Sequence, residues 1–105
     1  MKSTIRVSEV LHEGAVTGRH SGRVIREWVV GAFATGAIVE VDFTGVDLLT
    51  QSAADEFIGR IVRQHPDVIA RLSFSHCSRD VAAILQWAAE HANTAFQSGD
   101  GMVAA

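Results

Sequence analysis

The strongest constraint on the fold is a period of two in the apolar residues of three short segments. Residues 4–10, 38–43 and 70–75 each alternate apolar residues with polar or charged ones over part of their length. Such alternation predicts β-strands with one buried face and one face in water. Parallel strands covered on both faces are instead near-continuous apolar runs. The three segments are therefore expected to form a sheet with one polar face.

Apolar residues at helical spacing separate and follow these strands, at 24–33, 54–61 and 81–88. The resulting β-α-β-α-β-α order requires crossover connections between parallel strands, and such crossovers are nearly always right-handed. Strands lying in chain order would then place all the helices on one face. The sequence thus predicts a two-layer α/β fold with a mostly parallel sheet and helices mainly on one face. The polar face would carry Thr4, Arg6, Ser8, Glu40, Asp42, Arg71, Ser73 and Ser75.

Several residues mark the expected helix ends. Ser21 is the predicted N-cap of the first helix, and Gly36 is its predicted stop. Pro66 should end the middle helix near Gln64, because proline disfavours helical geometry in the preceding residue. Cys77 or Ser78 precedes the last helix. We expect one domain over residues 1–105, with an ordered core at about 4–92 and a tail at 93–105.

Composition excludes several classes of function. Nine Lys and Arg against twelve Asp and Glu give a net charge of −3, which argues against binding to nucleic acid. No apolar run approaches the roughly 20 residues of a membrane span. The single cysteine, Cys77, suits a reducing compartment, so a cytoplasmic protein without a membrane contact is expected. The five histidines are widely spaced, and neither a metal site nor a cofactor is expected.

A hydroxyl-rich corner, Thr50-Gln51-Ser52, stands between the central strand and the middle helix. Ser52, with Asp55 three residues later, fits a shortened capping box, and capping alone would explain the hydroxyls. The alternative is a functional hydroxyl at a helix N-terminus, where the helix dipole favours a phosphate. Asp55 and Glu56 oppose that second role, because they place negative charge in the first turn.

The two tryptophans receive different predictions. Trp28 belongs to an apolar stripe and is expected in the core. Trp87 falls about 100° from the apolar stripe of the last helix. It is therefore either a partner-binding residue or a residue that packs over a neighbouring helix.

A small enzyme or a ligand-binding domain is the alternative function at the carboxyl ends of the strands, where ligands of α/β sheets bind. Its residues would be Asp42, Asp47, His76 and Cys77. The two acids would suit a magnesium ion, but a solvated loop explains them more simply. His76 and Cys77 are adjacent in sequence, which does not make them a catalytic pair. A further alternative is a homodimer or larger oligomer joined through the polar sheet face.

The run from Val39 to Ile61 resembles the STAS domains, the family of anti-sigma-factor antagonists and sulphate-transporter tails, and is most similar to a bacterial STAS-like branch of unassigned function. Residues 41–46 match the central strand pattern of the family. Ser52 falls on the phosphorylatable serine of the family, with Thr50 in place of an aspartate and Ala53 in place of a glycine. Residues 54–57, Ala-Asp-Glu-Phe, fit the STAS-like branch.

The resemblance implies a regulatory, non-catalytic protein-binding module. Relatives dock through the loop and helix around the serine onto a histidine-kinase-like ATPase, which phosphorylates the serine and then loses affinity. The implied phosphoacceptor candidates here are Ser52 and Thr50. The implied partner-binding residues are Asp47, Gln51, Asp55 and Glu56, and Trp87 is added as an interface candidate.

Overall fold

The polypeptide forms three parallel strands with its long helices packed on one face of the sheet. The computed structural model describes residues 1–104, and it describes the side chains of residues 1–92. In chain order the elements are β1 (Lys2–Arg6), α1 (Val7–Leu11), β2 (Ala15–Val16), α2 (Gly18–Ala34), β3 (Ile38–Asp42), β4 (Leu48–Leu49), α3 (Gln51–Ala54), a π-helical segment (Asp55–Gly59), α4 (Arg60–Gln64), a 3-10 helix (Pro66–Arg71), β5 (Leu72–Ser75) and α5 (Arg79–Ala104). We call the run of α3, the π-helical segment and α4 the middle helix.

The main sheet has the strand order β1-β3-β5, and both pairings are parallel. This confirms a parallel sheet whose strands lie in chain order. Its register aligns Thr4 with Glu40 and Ser73 across the sheet. A second, two-stranded parallel sheet of β2 and β4 was not expected from the sequence, because each strand has only two residues.

The two faces of the main sheet differ as the alternation predicted. Ile5, Val39 and Val41 are buried against the helices, whereas Thr4 and Ser73 are exposed on the opposite face. The core is completed by apolar residues from α2, the middle helix and α5: Ile25, Val29, Phe33, Phe57, Ile58, Ile61, Val81, Leu85 and Ala88. The helices therefore share one core on one side of the sheet.

Two residues assigned to the polar sheet face lie elsewhere. Ser8 belongs to α1, because Val7, Val10 and Leu11 have helical spacing and pack towards the core. Arg71 ends the 3-10 helix, and its guanidinium carbon lies 5.2 Å from the centroid of the Phe33 ring. The first strand thus ends at Arg6 rather than at residue 10, and the third begins at Leu72 rather than at residue 70.

The helix ends agree with the sequence at three of four positions. Gly36 follows α2 with a φ of 83°, α4 ends at Gln64, and the Ser78 hydroxyl accepts from the Val81 N–H at 3.1 Å. Ser21 is not the N-cap of α2, which begins three residues earlier at Gly18.

The predicted tail at 93–105 falls on residues whose side chains lie outside the described part of the chain. Within the described residues, no helix combines the length and apolarity needed to cross a bilayer.

Trp28 is not a core residue, because its side chain is 57% exposed. The buried residues of α2 include Ile25, Val29 and Phe33, and Trp28 is displaced from this face by about one residue, or 100°. Trp87 is half-buried against the core and stacks on His91, with ring centroids 4.9 Å apart.

Helix α2 contacts the middle helix directly through its backbone. A Cβ atom added at Gly22 would lie 2.2 Å from the backbone oxygen of Ala53. Only glycine permits this separation, since real Cβ atoms do not approach oxygen so closely. The contact fixes the start of α2 against the start of the middle helix.

Gly22→Ala should therefore lower the free energy of unfolding by about 3 kcal/mol, because the two backbones must separate to relieve the overlap. Gly31→Ala, on the same helix, is the matched control, since an added Cβ there meets nothing within 4 Å. It should raise the stability by about 0.5–1 kcal/mol. Urea unfolding of both variants measures the difference, and equal effects would contradict the close contact.

Candidate functional site

The start of the middle helix is joined to the start of α2 by the Thr50 hydroxyl. Its Oγ1 accepts from the Ala53 N–H at 3.3 Å and from the Gly18 N–H at 3.2 Å. One side chain thus satisfies a free N–H at the beginning of each helix. The Thr50 N–H in turn donates to the Val16 carbonyl at 3.0 Å, which holds the corner beside β2.

Ser52 is half-buried in the first turn of the middle helix, and it is not the N-cap. Thr50 has that role, with the extended backbone that an N-cap requires. The Ser52 Oγ lies 3.3 Å from the Thr50 Oγ1. The expected capping box of Ser52 and Asp55 is wrong, because Asp55 pairs with arginine side chains. The Ser52 hydroxyl is therefore not needed to cap the helix.

Two carboxylates that follow the corner are held by four arginines. Asp55 accepts from Arg19 at 3.0 Å and from Arg63 at 3.2 Å. Glu56 accepts from Arg19 at 3.2 Å and from Arg26 at 2.8 Å, and Arg60 lies 3.6 Å from it. We call this set the arginine–carboxylate cluster.

Glu56 was expected to contact a partner, but its side chain is buried and it is only 7% exposed. Burial alone would raise its pKa, but hydrogen bonds from Arg26 and Arg19 outweigh burial and hold the pKa below the usual range. Desolvation also opposes ionisation of Asp55, whose pKa is lowered by Arg19 and Arg63. Both carboxylates are thus stabilised as anions, and the cluster connects α2 to the middle helix.

The remaining residues of the predicted partner surface differ in exposure. Asp47 and Gln51 are exposed on either side of Thr50, as a contact surface requires, whereas Glu56 is too buried to be a primary contact. Trp87 lies on α5 rather than at the corner. Sequence reasoning missed Arg19 and Arg26 because they lie 30 to 37 residues from their carboxylates. The available signal was an excess of arginine on α2 opposite adjacent acids on the next helix.

At the carboxyl ends of the strands, Asp42 is only 3% exposed and organises its neighbours. Its Oδ1 accepts from the Thr44 N–H at 2.9 Å and the Thr44 hydroxyl at 2.6 Å, and lies 3.1 Å from the His76 Nδ1. Its Oδ2 accepts from the Arg6 Nε at 3.2 Å. The bonds from Thr44 are the main reason that the pKa of Asp42 is held far below its ordinary value, against the opposing effect of burial.

These bonds limit what the strand ends do chemically. Both oxygens of Asp42 already accept hydrogen bonds, and the buried carboxylate lies beside the Arg6 guanidinium, whose charge opposes the approach of a cation. Burial raises the pKa of the Cys77 thiol, and its Sγ lies 3.8 Å from the Ser75 carbonyl, which favours the unreactive thiol. Among the described residues, no group of three or more His, Cys, Asp or Glu is placed to hold a metal ion. Of the four strand-end candidates, the structure brings together Asp42 and His76.

The fold and the corner together define a class: a two-layer α/β domain whose middle helix begins with a capped hydroxyl corner beyond the central strand. A comparison with protein families matches residues 21–82 to the STAS-like domain of unknown function (DUF4325). The match covers more than half of the chain, and the chain belongs to this family. The resemblance noted from the sequence is therefore confirmed. A search of curated proteins and a search of solved structures found no match to the chain.

The Asp42 hydrogen bonds predict acid sensitivity. An unfolded Asp has a pKa of about 3.9, and the folded pKa of Asp42 is lower, so its contribution is present above pH 4 and is lost as the pH falls. Asp42→Asn should lower the free energy of unfolding by about 2 kcal/mol at pH 7. The deficit should shrink as the pH falls below about 4, because wild-type Asp42 then loses its advantage.

Urea unfolding of wild type and Asp42→Asn at several pH values measures this difference. Asp47→Asn, which changes an exposed carboxylate in the loop after β3, is the control. A deficit that stays constant from neutral to acid pH would contradict the assigned role of Asp42.

Proposed function

We propose that the protein is a non-catalytic regulatory module that binds a protein partner through the head of its middle helix. The contact surface, which we call the corner surface, consists of Asp47, Thr50, Gln51, Ser52 and the exposed part of Asp55. The observation that carries the proposal is the geometry of the Ser52 hydroxyl. It lies beside the Thr50 cap in a helix start that Gly22 and the arginine–carboxylate cluster hold in place.

A rigid corner suits binding better than catalysis. The Thr50 hydroxyl is poorly suited to act as a nucleophile, because its oxygen already accepts hydrogen bonds from the N–H groups of Ala53 and Gly18. Among the residues that the structure describes, the Ser52 hydroxyl bonds to Thr50, which is not a general base. A prearranged surface loses little conformational freedom when a partner binds. These features support recognition without a chemical step.

Phosphorylation of Ser52 would change this surface through charge. A phosphate adds about −2 near neutral pH and carries oxygens that bind arginine strongly. Arg19 is exposed and binds the Asp55 carboxylate, three residues from Ser52, so it is the cation best placed to be drawn to the phosphate. That movement would release part of Asp55 and add negative charge to the corner. We therefore expect phosphorylation to weaken partner binding.

The partner class rests on the resemblance of Ser52 to the phosphorylatable serine of STAS domains, and the family match, to a domain of unknown function, adds no partner. We propose a histidine-kinase-like ATPase as the partner. Such an enzyme would both bind the corner surface and transfer phosphate to Ser52. Because the added charge weakens binding, the phosphorylated protein would dissociate from the ATPase, and phosphorylation of Ser52 would act as a switch.

The proposal is tested by measuring the binding of the purified chain to histidine-kinase-like ATPases from the same source, by calorimetry, with wild type, Ser52→Ala and Ser52→Asp. Ser52→Asp should bind at least about tenfold more weakly, since about 1.4 kcal/mol of repulsion gives that factor. Ser52→Ala should bind like wild type. Ser73→Asp, which adds the same charge at an exposed serine of the sheet, is the matched control.

Mass spectrometry after incubation with ATP tests the transfer itself. Phosphate on Ser52 that disappears in Ser52→Ala supports the switch. Equal binding of wild type and Ser52→Asp to every ATPase that binds would contradict it.

A further inference from the structure

A second surface, separate from the corner, lies beside the edge strand β1. A groove of about 820 Å³ runs between β1, α1 and the side of α2 that faces away from the middle helix. Its apolar lining includes Ile5, Val10, Val24 and Trp28. An indole that is 57% exposed inside an apolar groove is an unusual feature of a protein surface, and aromatic residues of this kind often anchor partners.

The backbone along this groove has hydrogen-bonding groups to offer. The Ile38 N–H donates to the Met1 carbonyl at 2.9 Å, and alternate residues of a parallel strand point to opposite sides. Ser3 and Ile5 therefore direct their backbone groups to β3. The backbone groups of Thr4 and the N–H groups of Lys2 and Arg6 point away from β3, towards the open edge of the sheet. No strand pairs with this edge in the described part of the chain.

The charges beside the edge identify which strand would fit. Lys2 and Arg6 lie four residues apart on the open face of the sheet, with side chains 62% and 48% exposed. Lys2 is oriented by Glu40 of β3, and Arg6 is oriented by Asp42 of β3 and by Glu9 of α1; each cation retains further N–H donors. A strand added to β1 would place two of its own residues, also four apart, opposite these cations.

A second copy of this chain does not suit the edge. Two β1 strands paired in antiparallel fashion around Thr4 would place Lys2 of each copy opposite Arg6 of the other. Like charges directly opposite each other destabilise a pair of strands. Self-pairing would therefore bring two such repulsions together at the ends of a five-residue strand.

We propose that the groove binds an extended segment of a protein partner that adds a strand to β1. The segment carries acidic residues at positions i and i+4, opposite Lys2 and Arg6. Its residues at i+1 and i+3 are apolar, point to the helix side and contact Trp28. Glu9 and Glu27 line the groove, so acidic residues are disfavoured on that side. This surface is independent of Ser52, and the two would serve different parts of one partner or two partners.

The test titrates the ¹⁵N-labelled full chain with the peptide acetyl-Thr-Glu-Val-Thr-Val-Glu-Thr-amide, followed by NMR. The amides of β1 and the indole N–H of Trp28 should shift together. A second peptide, with lysine in place of both glutamates, should bind about fivefold or more weakly, because each opposed charge pair contributes up to about 1 kcal/mol.

Two variants test the two halves of the site. Trp28→Ala should weaken binding of the glutamate peptide by about fivefold or more, as measured from the chemical shifts of the β1 amides. Thr4→Pro removes an outward N–H without removing a bond to β3, and it should weaken binding similarly. Leu48→Ala, which truncates another exposed apolar residue outside the groove, is the control.

Several results would overturn the proposal. These are equal binding of the two peptides, shifts that map outside the groove, wild-type affinity in Trp28→Ala, or no binding of either peptide. A dimer in analytical ultracentrifugation that Trp28→Ala dissociates would also overturn it, because a second copy would then occupy the groove.

Discussion

The contact between the backbones of α2 and the middle helix is the constraint from which the candidate site follows. Gly22 allows the two helices to meet without side chains between them. The Thr50 hydroxyl then reaches the N–H of Gly18, the first residue of α2, and the N–H of Ala53, the third residue of the middle helix. A separation larger by the size of a methyl group would break this sharing. The position of the corner relative to α2 thus depends on Gly22, which lies 30 positions before Ser52.

Electrostatics reinforces this contact and gives the corner its capacity to respond. Glu56 is buried because Arg26 and Arg19 reach it from α2, and its pKa is lowered despite the burial. Buried ionic groups of this kind cost desolvation, so they contribute specificity of arrangement more reliably than net stability. Arg19 is the exposed member of the cluster, and it is the member that a new anion would reposition first.

The sequence predicted the features that depend on local periodicity. The alternation in β3 and β5 gave a one-sided parallel sheet, and Pro66 and Gly36 marked the ends of the helices. The errors arose where residues far apart in the chain decide the outcome. Ser52 was assigned the capping role of Thr50, because the bond from Gly18 to Thr50 has no local signature. Glu56 was predicted to contact a partner because its arginine partners, on α2, are distant in sequence. Trp28 was predicted in the core because neighbouring apolar residues made the stripe look broader than the buried face.

The π-helical segment Asp55–Gly59 has a consequence for how this chain tolerates change. It buries four successive residues, Glu56 to Gly59, which a regular α-helix with a single buried stripe would not do. The wide turn accommodates one residue more than an α-helical turn. Deleting one residue there would shorten the wide turn to an α-helical turn and leave Ile61 facing the core, whereas a deletion in α4 would turn the residues after it by about 100°. Within the middle helix, the π-helical segment is therefore the place where the loss of one residue leaves the rest of the helix in register.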